Sequence, residues 1–140
     1  MKKQGFTLIE LMVVIVIMGI LAAVAVPKLF SMIAKSKASE VGPAAGTYVH
    51  MQDAYFVDQN AKGSWEQIGY KAPASKNFKY EDDDFNATAS FDVSDCSDGG
   101  VWTVTVTPNS ATHTIAYQAS DNCPALTPNF KNIGTSGAGS

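Results

Sequence analysis

Residues 1–26 read MKKQGFTLIELMVVIVIMGILAAVAV. From Phe6 to Val26 there are 21 residues, and Glu10 is the only one that ionises. A run of that length and composition can cross a bilayer as a helix. A carboxylate within such a run costs about 2.5–3.5 kcal/mol at the helix centre and much less near its edge. Glu10 lies close to the start of the run, hence toward one face of the membrane. It calls for a positive partner, and no neighbouring side chain supplies one.

The surrounding sequence does not fit an ordinary secretory signal, which has a shorter apolar core followed by a small-residue cleavage site. Here a short basic leader, Met1-Lys2-Lys3-Gln4, ends in Gly5, and the apolar run comes after it. Lysines stand on both sides, Lys2 and Lys3 before the run and Lys28, Lys35 and Lys37 after it. Loop charge therefore does not decide the orientation. The 140 residues leave room for one membrane segment and one small domain. Ten basic residues, all lysine, against thirteen acids give a net charge of −3, which argues against a nucleic-acid surface. Cys96 and Cys123 have no third cysteine or flanking histidine to make a zinc site. In an exported domain such a pair reads as a disulfide.

Helical periodicity continues beyond the apolar run. Leu29, Ile33, Val41, Ala45, Tyr48, Val49, Gln52, Tyr55 and Phe56 fall on roughly one face, with charged residues elsewhere. Gly19 and Pro27 weaken the first half, and Gly42-Pro43 with Gly46 forms a second soft point where a kink is expected. After Asn60, AKGSWEQIGYKAPASKNF has the punctuation of a connecting loop with a turn or two. Strand patterns follow in ATASFDV (87–93), VWTVTVT (101–107) and ATHTIAYQA (111–119). The second puts Trp102, Val104 and Val106 on one face and three threonines on the other. Pro108-Asn109-Ser110 reads as the turn of a hairpin. The expected fold is α+β: a long N-terminal helix whose first half is transmembrane and whose second half packs on a small antiparallel sheet. Trp65, Trp102 and Tyr117 are read as core.

The stretch KKQGFTLIELMVVIVIMGILAAVAVP closely resembles the N-terminal signature of type IV pilins and type II secretion pseudopilins. The resemblance is specific over about the first 30 residues and weak beyond them. It implies cleavage between Gly5 and Phe6 by a prepilin peptidase, and methylation of the new Phe6 amine. It places Glu10 at the family's acidic position, and Gly19 and Pro27 at its helix-weakening glycine and proline. The missing charge then has a source: the Phe6 amine of one subunit pairs with Glu10 of the next as helices stack. The plainer alternative is that Glu10 only snorkels to the membrane surface. In pilins a disulfide near the C-terminus is common, whereas pseudopilins more often rely on calcium, so Cys96 and Cys123 tilt the reading toward a pilin.

The organisation that follows is a leader (1–5), a transmembrane and assembly helix (6–27), an amphipathic second half (28–60), a sheet domain with a disulfide loop (61–131) and a small polar tail (132–140). The expected role is that of a type IV pilus subunit, held in the inner membrane and then drawn by an assembly platform into a helical homopolymer outside the cell. The alternatives are a periplasmic pseudopilin and a membrane-anchored adhesive tip module. No phosphate-binding glycine loop or nucleophile motif is present, so no enzymatic activity and no cofactor is expected. Glu81 to Asp84, and the spaced Asp92, Asp95 and Asp98, are weak calcium candidates without EF-hand spacing. His50 and His113 stand alone, and Asn86-Ala87-Thr88 fits the short acceptor triplet for N-glycosylation.

Overall fold

The computed structural model describes Gly5, 7–93, Cys96 and 99–134. The leader residues 1–4, Phe6, Asp95, Asp98 and the tail from residue 135 lie outside the described residues. The chain divides into two units, Met1–Ile33 and Ala34–Ser140. In the first unit, helix α1 (Leu8–Ala38) runs through Gly19 and Pro27 without a break. From Leu11 to Val26 its side chains are apolar all round, and every residue from Leu8 to Ile33 is exposed within the monomer. A helix of that kind belongs in lipid or among other helices.

Ala34 opens the second unit, and Ser39 and Glu40 separate α1 from α2 (Val41–Gln59). The expected interruption at Gly42-Pro43 appears one turn earlier, and Pro43 explains the shift. A proline removes the donor to the carbonyl four residues back and crowds that carbonyl, here that of Ser39. The Glu40 N–H accordingly reaches back only three residues, donating to the Lys37 carbonyl at 3.5 Å. Val41, Ala45, Tyr48, Val49, Gln52 and Phe56 are buried on α2 as the periodicity requires, whereas Leu29 and Ile33 of the same stripe are exposed. Asn60 closes α2 in the left-handed conformation.

The sheet is an antiparallel meander in the order β1 (Phe78–Glu81), β2 (Phe85–Ala89), β3 (Val101–Asn109) and β4 (Thr114–Asp121). Trp102, Val104 and Val106 face the core with Phe78, Phe85, Ala87, Tyr117 and Ala119, and α2 covers that face. Three expectations shift. The strand read at 87–93 is β2 and ends at Ala89, while Phe91 and Val93 pack at the core margin as coil. β1 begins at Phe78, the last residue of the stretch expected as a loop, and continues to Glu81, for which no strand is expected. β3 runs through Pro108 to Asn109, so the turn comes later and His113 sits in it at φ 53°. Pro108 is tolerated because β2 pairs with β3 only as far as Val104, leaving no strand on that side.

The connection between helix and sheet is held by a buried amide. Gln52, fully buried, donates from Nε2 to the Gly63 carbonyl at 2.9 Å and accepts at Oε1 from the Gly63 N–H at 2.7 Å. A Cβ on residue 63 would lie 2.9 Å from the Tyr55 ring, so only glycine allows this approach. One residue on, Ser64 and Gln67 form a capping box that starts the short helix α3 (Trp65–Ile68).

Candidate assembly segment

At the start of α1 the carboxylate of Glu10 is met by the backbone. The Thr7 N–H donates to Glu10 Oε2 at 3.0 Å, and the Glu10 N–H donates to Thr7 Oγ1 at 3.1 Å. This reciprocal pair is a capping box, which satisfies two of the orphan donors at a helix N-terminus. A carboxylate there also faces the positive end of the helix dipole. A backbone N–H thus takes one carboxylate oxygen, a contact the sequence reading did not anticipate. Thr7 is the residue the sequence reading missed, although Thr-Leu-Ile-Glu carries the capping-box spacing. No neighbouring cation accompanies Glu10 among the described residues.

Gly5 is described and exposed, but Phe6 lies outside the described residues, so the Gly5–Phe6 cleavage point and the Phe6 amine carry no geometry. Gly19 has open space around its Cα, and Pro27 is exposed. The helix is long and apolar enough to cross a membrane.

In the second unit, Cys96 and Cys123 are joined in a disulfide with their Cα atoms 4.8 Å apart. Three tyrosines fasten α2 and the residue before it. Tyr70 donates to the Ala44 carbonyl at 3.0 Å, Tyr80 to Glu40 Oε1 at 2.9 Å, and Tyr117 to the carboxylate of Asp53. Burial pushes the phenols of Tyr48 and Tyr70 up to about 12. Tyr80 and Tyr117 are raised by burial first, and then by the carboxylates they donate to.

Within the acidic run, Asp84 has a structural role. Asp84, at φ 51°, holds Lys62 Nζ at 2.8 Å and accepts from the Val106 N–H at 2.9 Å, continuing the ladder where β2 stops pairing. Its carbonyl accepts from Trp65 Nε1 at 2.7 Å. Among the described residues no three metal-ligating side chains come together. Asp92 lies in coil after β2, whereas Asp95 and Asp98 fall outside the described residues.

A long apolar helix joined to a small, disulfide-stapled helix-and-sheet domain defines a class of proteins built on an N-terminal apolar helix. Residues 1–26 match the prokaryotic N-terminal methylation motif. The chain is 34% identical over 112 residues to the type IV major alpha-pilin of Moraxella bovis, covering 75% of this chain and 68% of that protein. It is 34% identical to the type IV major pilin protein PilA of Myxococcus xanthus over 56% of this chain and 36% of the relative. It is also 39% identical to the type II secretion system core protein G of Pectobacterium carotovorum over 54% of this chain and 47% of that protein. The chain thus spans about a third of the Myxococcus relative, about half of the secretion protein and about two thirds of the Moraxella pilin. The chain belongs to the type IV pilin superfamily of pilins and pseudopilins.

Proposed function

We propose that this chain is a structural subunit of a type IV pilus, cleaved after Gly5, methylated at Phe6 and polymerised through its N-terminal helix. The observation that carries the reading is Glu10. It is the sole charge in an apolar run, and among the described residues only its Oε2 is taken up, by the Thr7 N–H. Its other oxygen remains for the amine that cleavage would create on a neighbouring subunit. A desolvated pair of this kind disfavours wrong register strongly, because either charge left alone costs several kcal/mol. Before assembly the helix anchors the chain in the inner membrane, and the fibre serves adhesion, motility or uptake.

A periplasmic pseudopilin is the second reading, favoured by the similarity to the secretion protein. The disulfide supports the pilus, because pseudopilins more often rely on calcium. The relatives named are structural proteins, and we read this chain as structural rather than catalytic. Intact mass of sheared filaments tests the processing. The expected species starts at methylated Phe6 and has lost Lys2 and Lys3, leaving eight lysines against thirteen acids. A fibre that retains residues 1–5 contradicts the proposal.

A further inference from the structure

Asn86 occupies an inner strand of the sheet, where asparagine is depleted, and among the described residues nothing employs its amide. Its Oδ1 is buried without a hydrogen-bond partner, and among the described residues its Nδ2 has none either. Opposite it stand Glu81 on β1 and Thr103 on β3, and the Thr103 hydroxyl is engaged with that of Ser120 at 2.9 Å. A threonine or valine would serve the strand better.

The placement of the triplet accounts for the residue. Ala87 is fully buried in the core, so by strand alternation Asn86 and Thr88 lie together on the outer face. That face carries no charge across β2, β3 and β4, where Thr103, Thr105, Gln118 and Ser120 continue it. Asn-X-Thr is the acceptor triplet for N-linked glycan, which is bulky, solubilising and confined to surfaces.

We propose that Asn86 is a glycan acceptor, modified by an oligosaccharide carried on a lipid pyrophosphate. The Nδ2 lone pair attacks the anomeric carbon of the donor sugar, forming the N-glycosidic bond. The bond from that carbon to the pyrophosphate oxygen breaks and its electron pair leaves with the oxygen. The proton lost from Nδ2 goes to the departing pyrophosphate. Once β2 is paired on both sides the acceptor cannot be drawn into an extended binding groove. Transfer therefore precedes closure of the sheet, on the newly exported chain. The folded sheet then displays the sugar over its hydroxyl-lined outer face.

The proposal rests on export of the domain and not on filament formation. The test is peptide mass analysis of full-length, disulfide-bonded protein purified from the cell that produces it. The bond between Cys96 and Cys123 certifies export and folding in the same sample. The expected result is a sugar-sized mass increment on the peptide containing Asn86. It should vanish in Asn86→Gln and Thr88→Ala and persist in Thr88→Ser. Unmodified Asn86 in the disulfide-bonded wild-type protein overturns the proposal. So does an increment that survives in Asn86→Gln, which places the sugar on another residue.

Discussion

Gln52 and the tyrosines show how single side chains fix this domain. Replacing Gln52 by Leu keeps approximate size but leaves the Gly63 N–H and C=O without partners in a dry site. The expected loss is about 2–6 kcal/mol, since each of the two unsatisfied buried groups costs about 1–3 kcal/mol. Urea unfolding of the detergent-solubilised chain measures it, and a loss under about 1 kcal/mol would mean that water replaces the amide. The raised phenols set an alkaline limit. Tyr48 and Tyr70 keep their protons in the folded state up to about 12, against an ordinary 10.0. The unfolded chain then binds fewer protons than the folded one above pH 10, so stability is full below that value and falls as pH rises through the folded pKa. Tyrosinate absorbance should lag for these rings and rise together with unfolding. Ionisation of these rings with a midpoint near the ordinary 10.0, with the fold intact, would contradict their burial. At this scale the sequence was partly legible. Gln52 fell on the core face by periodicity, but its clamp on Gly63 spans a chain reversal that no local pattern announces. The Thr7–Glu10 box is local, and its Thr-X-X-Glu spacing stands in the sequence at the start of the apolar run.

Among the elements, the break between α1 and α2 belongs to Pro43. Pro43→Ala restores a donor toward the Ser39 carbonyl and removes the ring that crowds it. The expected outcome is a helix continuous through Ser39 and Glu40, with higher helicity by circular dichroism. Unchanged helicity would assign the break to the packing of Ala38 and Val41 instead. The proline was visible in the sequence, but its effect acts one turn upstream, which is why the kink was placed too late. β3 was legible because nine residues alternate cleanly between core and solvent. β1 was not, because its four residues become a strand only through pairing with β2. Ser90 to Val93 keep strand-like alternation but leave the sheet, since β1 ends its pairing at Phe78 opposite Ala89. Within the acidic run, Asp84 completes the ladder and holds Lys62 and Trp65 in place.

For the whole molecule, the central claim is that the charge of Glu10, and not merely its helix cap, directs assembly. Two substitutions separate these roles. Gln can fill the third position of a capping box as Glu does, so Glu10→Gln keeps the cap and removes the charge. Thr7→Val removes the hydroxyl half of the cap, at about 1 kcal/mol, and keeps the charge. Both variants should insert, and neither should change the folded domain beyond Ala34. The decisive measurement is the yield of sheared filaments relative to the subunit level in the membrane fraction. The account predicts normal membrane level with filaments reduced on the order of tenfold or more in Glu10→Gln, since about 1.4 kcal/mol already gives tenfold. It predicts near-normal filaments in Thr7→Val. Normal filament yield in Glu10→Gln would contradict it, leaving Glu10 as a helix cap at the membrane edge.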